Sequence, residues 1–450
     1  MDALEDQIGQ WRSTVLRGRA VEHADADELE GHLREQIADL QNSGLNGDEA
    51  FLIAVRRLGQ VDLITAEFAR EHSDRLWKQL ALSRPDDGRH HPLLTMLGFA
   101  VVAAVLTRVA WILADPLRGT GEWLIRDLSL FVLPVLAAYF AVLRRIPWPR
   151  ALLLGGVVAV LAVAVNLFPF VPGASTESLV AIHLPIVLWF VVGVVYVGGS
   201  AGSSARRMDF IRFTGEWVIY YAVIALGGGV LIGLTSLVLT PLIPVTDDVV
   251  VWDDVLAWMS LSGAAGAVVV AAWLVEAKKS IIENIAPVLT AIFTPLFAIM
   301  LLVSAVGYSV AGIGRDFNRD LLTVFDLLLL VVLGLVVYGI SARDATRGAP
   351  AMQAIRLVAV VAAIVLDALV LVSMFARVGE LGFTANRVAA LGLNLILLVN
   401  LAITAWLIVR VLIGRARPAH LEKWQTGYLP VFAAWVALVV LALPPLFAFT

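Results

Sequence analysis

The sequence predicts an all-α polytopic membrane protein that begins with a small helical domain, and three observations carry that prediction. Of its 450 residues 60% are hydrophobic and only 16% charged, against about 25% charged in soluble domains. The charge is concentrated in residues 1–91, while from Pro92 onward apolar runs recur that are long enough to cross a hydrocarbon layer about 30 Å thick. Arginines then gather in alternate loops, as an orientation signal would require. There is no cysteine, which excludes disulfides and thiolate metal sites. The opening Met-Asp-Ala-Leu-Glu-Asp lacks the basic-then-apolar pattern of a signal peptide, so the N-terminus reads as mature protein. Lysine occurs only at 78, 278, 279 and 423, a bias toward arginine that suggests a GC-rich bacterial genome.

Leu4, Ile8, Trp11 and Val15 are spaced to share one helical face. A second helix is expected from Asp25, with Glu28 as its capping-box partner, Leu29, Leu33, Ile37 and Leu40 on its apolar face, and Gly44 as its stop. Asn46 and Glu49 repeat the capping pattern ahead of Phe51, Ala54, Val55 and Leu58, closed by Gly59, and Leu63, Ile64 and Phe68 supply a fourth helix. Four short amphipathic helices can bury one small core. The expected organisation is a helical domain over 1–80, a polar linker over 81–91 and a membrane domain over 92–450.

Glu28-Leu-Glu-Gly-His-Leu33, Gly44-Leu45, Glu49-Ala-Phe51, Arg57-Leu-Gly59 and Glu67-Phe68-Ala69 resemble the permease prefix domain over about residues 5–75. That family is a short helical module similar to the signalling domains encoded beside PadR-type transcription regulators. The resemblance implies a cytoplasmic regulatory or interaction role. The bland alternative is a helical plug that packs on the membrane domain.

Eleven spans are expected, at roughly 92–114, 126–143, 151–171, 178–198, 210–240, 255–275, 285–310, 321–340, 353–375, 385–410 and 427–448. With the N-terminal domain in the cytoplasm, the five inner connections carry 15 Lys and Arg and the five outer ones 6. Thr246-Asp-Asp-Val-Val-Val-Trp-Asp-Asp254, on the outer side, is acidic. Trp123, Trp148, Trp252, Trp273 and Trp424 fall near span boundaries, where an aromatic belt belongs. These patterns place the chain in the cell (inner) membrane, N-terminus in and C-terminus out.

Arg207-Met-Asp-Phe-Ile-Arg-Phe213 with Gly227-Gly-Gly-Val, Asn284-Ile-Ala-Pro-Val-Leu289 with Phe293-Thr-Pro-Leu-Phe297, Val324-Phe-Asp-Leu-Leu-Leu-Leu330, and Thr384-Ala-Asn-Arg387 with Asn394 and Asn400 form a second set. Over about residues 175–410 it resembles an uncharacterised bacterial membrane family, the domain of unknown function numbered four-one-five-three. That family brings no known activity.

Ionisable groups inside a bilayer are costly and by default mark a functional interior. Arg108, Asn166, His183, Asp326 and Asp367 lie on five helices at a similar depth below the outer surface, with Arg387 and Asn394 on the tenth span bracketing that level. Asn386, Arg387, Asn394, Asn400 and Thr404 fall on one face of that span. Thr290, Thr294, Ser304 and Tyr308 share a face of the seventh. Arg108, Asn166, His183, Asp326, Asp367, Arg387, Asn394 and Asn400 therefore form the candidate polar cluster, with Arg and Asp expected to neutralise one another. Pro185, Pro295 and Gly227–Gly229 are expected to loosen helices around a cavity open to the outside. Arg212, Glu216 and Tyr220 make a separate stripe near the cytoplasmic side. The alternative is a purely structural network of interhelical hydrogen bonds, typically worth about 0.6 kcal/mol each.

Catalytic signatures are missing. There is no phosphate loop, no His-Glu-x-x-His and no dinucleotide fingerprint. Asp326 and Asp367 lack the flanking residues of an intramembrane aspartyl protease, and Ser260-Leu-Ser-Gly263 departs from the rhomboid motif. No enzyme activity, cofactor, metal or direct nucleic-acid binding is expected. The expected partners are the lipid bilayer and a cytoplasmic regulator or transporter subunit. Two functions fit: a membrane sensor whose prefix domain contacts the regulator, or a permease of a small polar or lipid-like substrate gated by that domain.

Overall fold

In a computed structural model the chain divides into two compact units, Met1–His90 and His91–Thr450. The residues described are 4, 5, 7–9, 11, 23–43, 45–58, 92–118, 122–171, 173–199, 202–239, 249–277, 279–311, 319–341 and 350–450, less the side chains near several helix ends. All regular structure among them is helical.

In the first unit Leu4, Ile8 and Trp11 are helical and pack with α1 (His23–Asn42) and α2 (Gly47–Leu58). Leu33 and Ile37 from α1 and Ala50 and Ala54 from α2 are buried in the shared core. Each large aliphatic buried this way contributes about 2 kcal/mol. The entry to α2 is a reciprocal capping box. The Asn46 side chain accepts from the Glu49 amide at 2.9 Å, and the Glu49 carboxylate accepts from the Asn46 amide at 3.3 Å. α1 begins at His23, two residues before the expected cap. Val15, Gly44, Gly59, the side chains of Leu29 and Leu58, and the expected fourth helix lie outside the described residues.

Among its described residues the second unit contains eleven helices long and apolar enough to cross a membrane. They are α3 (Pro92–Arg118), α4 (Glu122–Leu143), α5 (Trp148–Leu167), α6 (Ser175–Tyr196), α7 (Ser204–Leu239), α8 (Val249–Ala277), α9 (Lys279–Ala311), α10 (Arg319–Ser341), α11 (Pro350–Leu381), α12 (Ala385–Leu412) and α13 (Ala419–Leu441), followed by the short α14 (Leu443–Leu446). The number agrees with the sequence, and the helices run on past the apolar segments into their polar flanks.

Leu152, Leu153, Leu226, Val230, Leu231 and Leu237 are more than 60% exposed. So much apolar surface suits a hydrocarbon surround and not water. Between helices, where lipid removes the hydrophobic drive, close approach of small side chains does the packing. α3 meets α8 closely at Gly266, where an added Cβ would sit 3.3 Å from the Ala100 carbonyl and 4.0 Å from the Ala104 side chain. Ala298 and Ala305 of α9 and Ala359 and Ala363 of α11 are likewise small residues buried in one shared core.

One core joins α3 to α8 and the second joins α9 to α12, with α13 adding residues to both. Ala100 opposite Gly266 and Arg108 opposite Trp258 make α3 and α8 antiparallel. The Arg144–Glu276 ion pair at 2.9 Å closes α4 and α8 at one end, here termed the entry end because α3 starts there. At the opposite, exit end Val171 donates to the Phe449 carbonyl and Thr176 to the main-chain oxygen of Thr450. Pro92 and Thr450 thus lie at opposite ends, as an odd number of crossings requires. α6, α7 and α9 continue unbroken through Pro185, Gly227–Gly229 and Pro295. No break in these helices frees backbone groups at the expected points.

Candidate functional site

Five of the eight residues of the predicted cluster go to separate places. Arg108 lies over the Trp258 ring at 4.3 Å. Among the described residues it is an aromatic face that holds this guanidinium. Asn166 accepts from Arg126 at 3.4 Å at the exit end. His183 Nδ1 meets the Leu179 carbonyl at 2.8 Å, one turn back on its own helix. Arg387 turns to the exposed end of α11 and donates to the carbonyls of Leu381 and Gly382 at 3.0 and 2.6 Å. Asn400 belongs to a different network from Asn394. The expected Arg–Asp neutralisation is therefore corrected. Rotation about each helix axis points these groups at different neighbours.

Three of the eight do meet. Asn394 of α12 donates to Asp326 of α10 at 2.8 Å and to the Ala390 carbonyl at 2.9 Å, with Met374 of α11 beside it at 3.8 Å. Asp367 of α11 is completely buried, as is Asn394, and lies near enough to Asp326 for their charges to interact. Neither oxygen of Asp367, nor the side-chain oxygen of Asn394, has a hydrogen-bond partner. Asp326 is half-buried.

Three further arrangements escaped the sequence reading. At the exit end the buried Arg126 grips the adjacent Asp127 with two bonds of 3.1 and 3.0 Å, and Glu177 at 2.9 Å. Arg126 stands where a span boundary was expected and read as a loop charge. In the entry half Asn400, Thr404 and Gln425 form a closed network between α12 and α13, and Thr426 of α13 pairs with Ser204 of α7 at 2.6 Å. Gln425 and Thr426 sit near the start of a span, so only the facing helix reveals their burial.

Third is a cavity of about 470 Å³ at the entry end. It is lined by Arg144, Arg206, Arg212, Asp209 and Glu216, with Tyr196 and Phe213 among the walls. Arg144 lies over the Tyr196 ring at 4.7 Å, Arg206 donates to the Val197 carbonyl at 3.2 Å and Arg212 to Asp209 at 3.3 Å. The stacked Tyr196–Phe213 pair, with centroids 4.5 Å apart, stiffens the wall. Arg212 and Glu216, two of the three residues of the separate stripe read from the sequence, line this cavity. On the other face of α7 an apolar cleft of about 540 Å³ runs past Phe210, Thr214, Val218, Tyr338 and Leu429. Among the described residues no group of three or more His, Cys, Asp or Glu could hold a metal ion.

No protein-family model, curated protein or solved structure matches this chain.

Proposed function

We propose that this multi-pass membrane protein is a non-enzymatic sensor of the cell membrane that binds a phosphate-bearing lipid headgroup in the arginine-lined cavity, and that its N-terminal helical domain relays occupancy to a cytoplasmic regulator. The observation that carries the reading is the convergence of Arg144, Arg206 and Arg212 on one cavity at the end where α3 begins. Basic pockets between transmembrane helices on the cytoplasmic side suit phospholipid headgroups, and a planar guanidinium suits phosphate oxygens. Asp209, Glu216 and Glu276, the partner of Arg144, together offset the three positive charges, so the lining favours a headgroup that carries an ammonium beside its phosphate. The arginine bias of the loops assigns the entry end to the cytoplasm, the side on which a regulator would be met.

The test retains lipids on the purified full-length protein and weighs them by native mass spectrometry. Phosphatidylethanolamine should be kept in preference to phosphate-free diacylglycerol, and the R206Q/R212Q variant should lose that preference. Equal retention by wild type and variant would remove the reading. Deletion of residues 1–85 should abolish association with a regulator while lipid retention stands. Substrate flux that survives the deletion but loses its regulation would favour a permease, the reading to which the buried carboxylates of α10 and α11 lend support. A reporter after Thr450 should register outside the cell.

A further inference from the structure

We propose that Asp326, Asp367 and Asn394 form a monovalent-cation site, taking a proton or Na⁺, in the core of α10, α11 and α12. The supply of donors and acceptors there is out of balance. Two carboxylates and the Asn394 amide oxygen offer five acceptor oxygens. The one side-chain hydrogen bond among them runs from Asn394 to Asp326 at 2.8 Å. Both oxygens of the fully buried Asp367 and the oxygen of the fully buried Asn394 have no partner. A buried polar atom left without a hydrogen bond costs about 1–3 kcal/mol, and more when it is charged. Two bare carboxylates within reach of each other's charge in a bilayer interior are not tolerable without a compensating positive charge.

No described residue supplies that charge. On α11 itself Arg356 and Arg377 are 11 and 10 residues from Asp367, about 16 and 15 Å along the axis. Arg356 donates to the Gly339 carbonyl toward the entry end. From α12, Arg387 is spent on the carbonyls that end α11. From α9, Tyr308 lies edge-on to Phe325 at 5.2 Å, and from α13 the Tyr428 hydroxyl donates to the Ile396 carbonyl at 3.0 Å. Neither Asp326 nor Asp367 makes an ion pair with any described residue.

Oxygen-only surroundings with surplus acceptors suit a proton or a hard cation. Two carboxylates and one amide carry too few anionic ligands for the usual all-protein Ca²⁺ cage. Half-buried Asp326 provides the approach and fully buried Asp367 the inner ligand. The site shares no residue with the arginine-lined cavity, so each proposal can fail alone.

The test uses the full-length protein in nanodiscs and dicyclohexylcarbodiimide, a lipophilic reagent that modifies protonated carboxyls in membranes, with adducts located by mass spectrometry. The proposal expects modification of Asp326 or Asp367 that declines as pH rises. Suppression by Na⁺ but not by choline at constant ionic strength identifies Na⁺ as the occupant. Indifference to Na⁺ identifies the proton. In D367N, a near-isosteric change that keeps the packing, dependence of Asp326 modification on pH and Na⁺ should shift or vanish. Wild-type protein that is unmodified at every pH and insensitive to Na⁺ would overturn the proposal, as would D367N that folds and titrates at Asp326 as wild type does.

Discussion

Asn400 of α12 and Gln425 of α13 exchange hydrogen bonds, each side-chain amide donating to the other's oxygen at 3.2 Å. Gln425 also donates to Thr404 at 2.6 Å, and Thr404 donates back to the Asn400 carbonyl at 2.7 Å. All three side chains are at most 2% exposed. An isolated interhelical bond in a membrane is worth about 0.6 kcal/mol, but removing one member of this set strands the others. N400L should therefore destabilise the purified protein by about 1–3 kcal/mol. The N400L/Q425L double variant should recover part of that loss, because both partners are then apolar. Thermal unfolding in detergent reads the coupling. Additive losses would show that the exchange contributes nothing.

Gly392 lets α12 and α13 touch. A Cβ there would collide with the Trp435 ring, whereas at Gly227 on α7 it would meet nothing within 4 Å. G392A should cost about 1–3 kcal/mol through overpacking, with relief from a second change of Trp435 to Leu. G227A should be neutral or stabilising, since alanine exceeds glycine in helix propensity by about 1 kcal/mol. Unfolding midpoints of the two variants decide it, and equal shifts would contradict the close approach.

Arg126 has the firmest ion-pair geometry in the membrane unit, with 5% of its side chain exposed and 2% of that of Asp127. Removing one member of a buried pair leaves the other charge uncompensated, at about 3–5 kcal/mol. R126M should lose stability on that scale. Arg212→Met should lose far less, because its partner Asp209 is half-exposed. Denaturant titration of the two variants side by side would expose the opposite order.

The first unit was legible because its pattern is local. Leu4, Ile8, Trp11, Leu33, Ile37, Leu40 and Ala54 sit at helical spacing in the sequence and meet in one core. The span count was legible because bilayer thickness imposes a length. Depth along a helix also survives into the fold, which is why Asp326 and Asn394 were grouped correctly. The azimuth of each span does not show in its sequence when nearly every position is apolar. Arg108 therefore finds Trp258 and Asp367 finds no base, although both were placed at one level. Gln425 and Arg126 were missed for a related reason. Near a span end a polar side chain reads as interfacial until the facing helix is known.

Arg34 of α1 joins Glu5, with bonds of 2.6 and 2.8 Å, to Glu30 on its own helix at 2.9 Å. The guanidinium holds the Glu5 carboxyl below its ordinary value of 4.5, chiefly through the hydrogen bond and, against a smaller opposing burial effect, through charge attraction. A carboxyl depressed in the folded state contributes stability above its unfolded value and loses it as pH falls through the folded one. Arginine stays charged throughout. Protection of α1 amides in hydrogen exchange should therefore exceed that of R34Q at neutral pH. The two proteins should converge as pH falls below 4.5. Both side chains are largely exposed, so the gap should be small and shrink in salt. A gap that widened on acidification would mean that the pair does not tie the first helical segment to α1.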